Sequence, residues 1–129
     1  MLTLAIDLAR GTALALQARL QSASTPPDVV DRSLDQQFSP VVTGDVTARR
    51  RLGTVIGAVV DRCLPGRSTC WTRAVTQRAA LLGLGVDAHV RIGVRRQGGQ
   101  IESHAWVETA HARIGYDPSY QPVEKVGSP

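Results

Sequence analysis

The sequence is poor in several residue types, and each scarcity disfavours some classes of function. Only one of its 15 basic residues is a lysine, and aromatic residues make up 4% of the chain. Nucleic-acid-binding proteins commonly combine basic grooves with stacking aromatics, so a nucleic-acid partner is disfavoured despite the net charge of +4. The run Arg49-Arg50-Arg51 is most simply a solvated first turn of a helix. Two alternatives remain open: a basic module that binds RNA or DNA, and a site for an acidic peptide.

Cysteines and long apolar runs are also scarce. Two cysteines are too few for a multi-disulfide scaffold or a cysteine-rich zinc site, so free thiols, no metal and no cofactor are expected. No uninterrupted stretch of about 18 apolar residues could span a membrane. The apolar start lacks the basic first region of a signal peptide and is interrupted by Asp7 and Arg10. These features predict a cytoplasmic protein without a membrane partner.

A chain of 129 residues is most simply one compact domain. Within it, residues 1–48 are interpreted as an N-terminal helix and an irregular linker that pack on a core formed by residues 49–129. Apolar residues on one broad face predict a helix over residues 2–21. Three prolines in residues 22–42 predict an irregular segment with one short helical turn near Val29.

Two helices separated by a tight turn are expected next. Asp45 is a plausible N-cap for the first of them, which Pro65-Gly66 would end. Ser68 or Thr69 would cap the second helix, which ends at Gly83 or Gly85. Apolar spacing of three and four residues predicts that the first helix buries Leu52, Val55, Ile56, Val59, Val60 and Cys63.

Strands follow the second helix. From Val86 to Val94 apolar residues alternate with polar ones, which predicts a half-buried strand. The loop "RRQGGQ" predicts a hairpin to a strand over residues 101–109, and residues 112–117 supply a third strand. The sequence therefore predicts an α+β fold in which helices pack on a small antiparallel sheet.

Cys70 is the strongest candidate for chemistry. It falls in the first turn of the second helix, where unpaired N–H groups and the helix dipole favour a thiolate. If the "AH" loop has two residues, His104 lies directly across the sheet from Asp117, with Cβ atoms about 4.5–5.5 Å apart. A carboxylate that orients an imidazole beside a thiolate forms a cysteine–histidine–aspartate triad. A loop of odd length would break this register.

The same residues resemble a known family. The segment "CWTRAVTQRAALLGLGVDAHVRIGV", followed by "SHAWVE" and a later aspartate, is similar to the transglutaminase-like leader peptidases of lasso-peptide biosynthesis. The matching positions are Cys70, Leu81-Leu82 with Gly85, Ile92-Gly93-Val94 and His104-Ala105-Trp106-Val107-Glu108. The resemblance covers about residues 49–120, and residues 1–48 carry no matching motif.

This resemblance implies a transglutaminase-like, papain-like core in a bacterial cytoplasmic enzyme. Its expected catalytic residues are Cys70, His104 and Asp117, and its expected reaction removes the leader of a ribosomally made precursor. The implied partners are the precursor leader peptide, a small leader-recognition protein (a RiPP recognition element) and the lasso cyclase. An amidase or acyltransferase with the same triad is the alternative enzyme.

The candidate substrate-binding residues are Trp71, Arg73 and Trp106, and each has a simpler interpretation. Trp106 shares the sheet face of His104, where it could shield the histidine–aspartate pair, line a substrate groove or simply cover the sheet. Ordinary solvation of the helix is favoured for Arg73 and for Arg78. Cys63 is interpreted as a core residue.

The other two histidines are interpreted as surface residues. His89 belongs to a solvated strand face and His111 to a turn. Neither has a second ligand at metal-binding spacing, so a zinc site is not expected.

Overall fold

The computed structural model describes residues 2–37, 46–66 and 68–123, and it confirms the α+β class. Four helices precede a four-stranded antiparallel sheet. The helices are α1 (Leu2–Gln21), α2 (Pro27–Gln37), α3 (Val46–Cys63) and α4 (Cys70–Gly83). The strands are β1 (His89–Gln97), β2 (Gln100–Glu108), β3 (Arg113–Ile114) and β4 (Gln121–Pro122).

Helix α4 lies at the centre of the molecule. It packs against α1, α3 and the sheet, chiefly against β2, and all of its residues from Ala74 to Gly83 are buried. A Cβ atom on Gly83 would stand 2.5 Å from the Cα of Gly11 in α1, so the two backbones pass each other in near contact. The predicted α1 is confirmed, and its Ala15 and Ala18 are buried in the core.

Helix α2 corrects the expectation of an irregular linker over residues 22–42. The structure has an 11-residue helix there, whose Val30 and Leu34 are buried. Its first residue is Pro27, a position where proline is favourable because the N–H it lacks would have no partner. Asp28 in the first turn complements the helix dipole. Residues 38–42 of the expected linker lie outside the described residues, as does the expected N-cap Asp45.

Helix α3 buries only part of the predicted apolar face: Val60 is buried and Ile56 packs beside it. Val55 and Val59 are 59% and 53% exposed, and Cys63 is exposed as well, so the expectation that Cys63 packs in the core is wrong. Gly57 faces α4 so closely that a Cβ atom there would lie 2.4 Å from the Cα of Gln77. The glycines allow a helix contact that an apolar stripe would prevent, and the buried residues of α3 are Arg49, Gly53, Gly57, Val60 and Asp61.

Arg78 was expected to face solvent, and the structure corrects this as well. Its side chain is 4% exposed and donates to the carbonyl oxygen of Ala88, at 2.7 Å, and to the carboxylate of Asp31, also at 2.7 Å. A further ion pair joins Arg78 to Asp35. Both aspartates belong to α2, so this buried cation attaches α2 to α4 and to the segment that enters β1.

The basic run at the start of α3 does not form one exposed patch. Arg49 is buried, where it forms an ion pair with Asp7 of α1 and donates to the carbonyl oxygen of Leu84 at 2.9 Å. Arg50 is half-buried and Arg51 is exposed. A cation that is already neutralised inside the protein adds little to a phosphate-binding surface, which disfavours the nucleic-acid alternative further.

The sheet is built around the predicted glycine hairpin. Gln97 pairs with Gln100 across Gly98 and Gly99, whose φ angles of 59° and 79° suit the tight turns that favour glycine. The strand order is β3-β2-β1-β4. One face carries Val90, Ala105 and Val107, which belong to the same core cluster as the buried residues of α4. In the part of the chain that the structure describes, no helix is long and apolar enough to cross a membrane.

The pairing of β2 with β3 has the predicted register but only two residue pairs. Val107 pairs with Ile114 and Glu108 with Arg113, and Thr109 N–H donates to the carbonyl oxygen of Ala112 at 2.9 Å, which closes the loop. Gly115, with φ of 78°, then follows the short strand. The two positions that the predicted register places opposite each other, His104 and Asp117, therefore lie beyond the paired segment.

Candidate active site at Cys70 and His104

Cys70 occupies the first position of α4, as the sequence predicts. Thr69 is the N-cap: its backbone is extended (φ −110°, ψ 170°) and its hydroxyl oxygen accepts from the N–H of Thr72 at 3.1 Å. The free thiol is half-buried and packs at the margin of the core cluster. The first N–H groups of a helix have no intrahelical acceptors, so the thiol stands beside donors that stabilise negative charge.

His104 lies in the middle of β2 and is held on one side by the backbone. Its Nε2 atom is 2.7 Å from the carbonyl oxygen of Gly115. A carbonyl oxygen only accepts hydrogen bonds, so this contact requires a proton on Nε2 and makes Nδ1 the basic nitrogen of the neutral ring. The imidazole also packs on Trp106 and Tyr120, with ring centroids 6.1 and 5.0 Å away.

Trp106 supports the histidine from inside the protein. The indole is 1% exposed, donates from Nε1 to Glu108 Oε2 at 3.0 Å and meets the edge of Tyr116. Gly93, directly across from His104 in the sheet, leaves the space that the indole fills. Trp106 thus covers the sheet, the third interpretation given above, and offers no indole surface to a substrate in this structure.

Asp117 is held by a tight turn. Its Oδ1 atom accepts from the backbone N–H of Ser119 at 2.9 Å and from the Ser119 hydroxyl at 2.8 Å. These two hydrogen bonds lower the pKa of the Asp117 carboxyl below its usual value, and the positive charges of Arg95 and His104 act in the same direction. Asp117 is therefore ionised at neutral pH and lies within electrostatic range of the imidazole.

The structure groups some of the predicted site residues and separates others. Side chains alternate along a strand, so His104 and Trp106 project from the face of β2 opposite to Ala105 and Val107, which pack with α4. Cys70 belongs to the α4 side of the sheet. Across residues 2–37, 46–66 and 68–123, no hydrogen bond or ion pair joins Cys70 to His104 or His104 to Asp117.

The remaining predicted substrate-binding residues flank Cys70 along α4. Trp71 is half-buried against the core cluster. Arg73 is 57% exposed, and its Nε atom lies 3.5 Å from the carboxylate of Asp61. These positions leave the guanidinium of Arg73 accessible beside the start of the helix.

Two residues that the sequence interpretation missed organise the surface around Asp117. Arg95 donates to Glu102 Oε2 at 2.8 Å and to the Ser119 hydroxyl at 2.8 Å, and its guanidinium lies over the ring of Tyr120. The hydrogen bond to Glu102 raises the pKa of Arg95 above its usual value. Arg95 and Glu102 are direct partners across the hairpin, so the glycine turn and their opposite charges were a usable signal.

The other two histidines take no part in this site. His89 is exposed and lies 3.2 Å from Asp87, and His111 is exposed near the β2–β3 turn. Within the described part of the chain, no group of three histidine, cysteine or acidic side chains could hold a metal ion.

A cysteine at the start of a central helix that packs on an antiparallel sheet, with a histidine on that sheet, defines the class of papain-like cysteine enzymes. The chain belongs to the transglutaminase-like superfamily, whose family model matches residues 3–126. Members of this superfamily are usually cysteine peptidases or acyltransferases. The match includes most of residues 1–48, which carried no motif. No curated protein and no solved structure matches the chain.

Proposed function

We propose that this protein is a cysteine peptidase that removes the leader peptide from a ribosomally synthesised lasso-peptide precursor. The observation that carries the proposal is Cys70 at the first position of α4, because α4 packs on the strand that bears His104 in a chain of the transglutaminase-like superfamily. The "SHAWVE" and "CWTRAV" segments support the leader-peptidase specificity by their resemblance.

In the proposed reaction, the Cys70 thiolate attacks the carbonyl carbon of the last leader residue. A carbon–sulfur bond forms, and the backbone N–H of Cys70, without an intrahelical acceptor, stabilises the oxyanion. The imidazolium of His104 then gives its proton to the nitrogen of the core peptide as the carbon–nitrogen bond breaks. The core leaves with a free amine, and the leader remains as a thioester on Cys70.

Water completes the cycle. His104 takes a proton from the attacking water, the carbon–sulfur bond breaks, and the leader departs with a new carboxylate. Asp117 stabilises the imidazolium that forms, from a position held by Ser119 and Arg95. The freed amine of the core becomes the nucleophile for the macrolactam that a separate lasso cyclase would close.

This mechanism requires a contact between the thiol and the imidazole in the substrate complex. Catalytic hydrogen bonds often form or tighten only when substrate binds. Among the described residues, the one hydrogen bond that holds the His104 ring goes to the carbonyl oxygen of Gly115, a glycine whose own φ is positive. Because His104 projects from the face of β2 opposite to Cys70, we propose that leader binding releases this bond and rearranges β2 so that the ring reaches the α4 side of the sheet. We further propose that a leader-recognition protein delivers the leader in the bacterial cytoplasm.

The test is cleavage of a precursor in the presence of the recognition protein. Cys70→Ala and His104→Ala should each lower the cleavage rate at least about 10³-fold, as loss of a nucleophile or its base does. Cys63→Ser and His89→Ala are matched controls, since both residues are exposed and outside the site. Cleavage at the wild-type rate by Cys70→Ala would rule out the proposed nucleophile.

The same assay separates peptidase from acyltransferase activity. Added hydroxylamine or a primary amine competes with water for the thioester. Release of the leader mainly as its free acid supports hydrolysis. Preferential transfer to the amine at low amine concentration would instead assign an amidase or acyltransferase function to the same cysteine.

A further inference from the structure

Asp61 is a buried carboxylate to which the proposed mechanism assigns no role. It lies near the end of α3 and is 3% exposed. Arg19 of α1 reaches it from one side, with Nε 3.1 Å from Oδ1, and Arg73 of α4 from another, with Nε 3.5 Å from Oδ2. The hydroxyl of Ser68 donates to Oδ2 at 2.6 Å. One carboxylate thus connects α1, α3, α4 and the segment that precedes α4.

The two carboxylate oxygens of Asp61 differ in their hydrogen bonds. Oδ1 is buried and has no hydrogen-bond partner among the described residues, because the Nε–H of Arg19 donates to the carbonyl oxygen of Asp61 instead, at 3.3 Å. The short hydrogen bond goes to Ser68. Since an imperfect buried ion pair contributes little net stability, stability alone does not account for a carboxylate aimed at Ser68.

The two partners of Oδ2, Ser68 and Arg73, flank Cys70 in the sequence. Ser68 lies two residues before it, next to the N-cap Thr69, and Arg73 lies three residues after it. Arg19 also donates to the carbonyl oxygen of Gly66 at 3.3 Å, which fixes the turn that leads to Ser68. The position of the first turn of α4 therefore depends on contacts with Asp61 and Arg19.

We propose that Asp61 is a positioning residue for Cys70. It holds Ser68 and Arg73, and through them the N-terminal turn of α4, so that the thiol keeps its place beside the free N–H groups of the helix. This inference rests on the proposed role of Cys70 as the nucleophile. Asp61 itself touches neither substrate nor the reacting atoms.

The test uses full-length protein with Cys63→Ser, so that Cys70 is the only thiol. Ser68 is exposed, and Ser68→Ala removes its hydrogen bond to Asp61, whereas Ser68→Thr keeps the hydroxyl. Asp61→Asn removes the charge, although it leaves buried Arg19 unpaired and could prevent folding. Ser22→Ala is the matched control, because it also removes a 2.8 Å side-chain hydrogen bond, from the hydroxyl of Ser22 to the carbonyl oxygen of Ala18 in α1.

Three measurements are compared: kcat and KM for precursor cleavage, the rate of Cys70 alkylation by iodoacetamide at pH 7, and the urea midpoint. Ser68→Ala should lower kcat and the alkylation rate about 10-fold, the effect expected of one hydrogen bond to a charged group. KM should stay near the wild-type value, and Ser68→Thr should restore both rates. The urea midpoint should fall with the lost hydrogen bond, so both rates are compared per folded molecule in the absence of urea.

Two outcomes would overturn the proposal. One is wild-type kcat and alkylation rate in folded Ser68→Ala, and the other is a fall in both that Ser68→Thr fails to restore. A purely structural role would lower the urea midpoint without changing kcat per folded molecule. Alkylation reports on Cys70 without any substrate, so it decides the positioning role even if Cys70→Ala still cleaves the precursor and the proposed function fails.

Discussion

Asp117 shows how neighbouring hydrogen-bond donors lower the pKa of a carboxyl group. Its pKa is lowered chiefly by the backbone N–H of Ser119 and next by the Ser119 hydroxyl. A carboxyl with a lower pKa in the folded state stabilises that state at pH values above its unfolded pKa, and this contribution disappears as the pH falls through the folded pKa. The turn at Asp117 should therefore loosen in acid and remain intact at neutral pH.

Ser119→Ala tests this directly. Removal of the hydroxyl should raise the pKa of Asp117 part of the way towards its usual value, because the backbone N–H remains as a donor. The pKa is followed by NMR titration of the Asp117 carboxyl carbon. Ser103→Ala removes an exposed hydroxyl elsewhere on the hairpin and should leave the titration unchanged. An unchanged titration in Ser119→Ala would assign the whole shift to the backbone N–H and to the charges of Arg95 and His104.

Gly93 is a residue at which one methyl group should disturb the candidate site. A Cβ atom there would lie 2.7 Å from ring atoms of Trp106 and 3.0 Å from the carbonyl oxygen of Gln121. Gly93→Ala should destabilise the fold by about 1–3 kcal/mol, the usual cost of overpacking a well-filled core. It should also alter the Trp106 fluorescence, because the indole must move.

Urea unfolding followed by tryptophan fluorescence measures both effects. Trp71 contributes to the signal as well, so Trp71→Phe serves as the background for the comparison. An alanine variant of unchanged stability and spectrum would show that the indole is not packed on Gly93.

The individual residues show which parts of the site a sequence can reveal. The helix start at Cys70 was predictable, because its cap at Thr69 is a local feature. The hydrogen bond from His104 to Gly115 was not, since it depends on where the chain turns after a two-residue strand. Buried Arg78 resembles a surface residue in sequence because its partners, in α2, lie more than 40 residues away.

At the scale of whole elements, the apolar pattern identified α1, α3 and α4 but only part of the buried face of α3. Periodicity assumes that the largest apolar residues face the core. In α3, Gly53 and Gly57 allow α4 to approach, while the buried charges Arg49 and Asp61 are neutralised by Asp7 and Arg19 of α1. Neither a glycine contact nor a pair of charges from distant segments produces an apolar signal.

The attachment of α2 is the element-scale feature that can be tested most sharply. Arg78→Ala should destabilise the protein by about 3–5 kcal/mol, since the Asp31 carboxylate, 13% exposed, loses its buried counter-ion. Hydrogen exchange in α2 should rise by more than exchange in α1. The measurements are urea unfolding and amide exchange.

Arg32→Ala is the control for this prediction. It breaks an ion pair with Asp28 within the same helix, but the Arg32 side chain is 70% exposed, so the loss should stay below about 0.5 kcal/mol. Similar small losses in the two variants would mean that α2 is held by Val30 and Leu34 alone.

At the scale of the whole molecule, the N-terminal third is part of the fold. The sequence resemblance covered about residues 49–120, whereas the superfamily model matches residues 3–126. The structure shows the physical basis: Asp7, Arg19 and the two aspartates of α2 each neutralise a charge located after residue 45. The opposite charges in these pairs are too far apart in sequence for local patterns to detect.

These pairs predict that a fragment of residues 46–129 will not fold alone. Removal of residues 1–45 would leave Arg49, Asp61 and Arg78 as buried charges without their main partners and would expose the core face covered by Ala15 and Ala18. A buried charge that loses its partner costs about 3–5 kcal/mol, so three such losses cost about 9–15 kcal/mol, which is comparable to the total stability of a typical domain, about 5–15 kcal/mol. Circular dichroism during heating should show no cooperative transition for the fragment.

Addition of a separately prepared peptide of residues 1–45 should restore the transition, which distinguishes missing contacts from a poorly prepared fragment. A cooperative transition of the fragment alone would instead establish residues 46–129 as an independent core, on which the first 45 residues are an accessory layer.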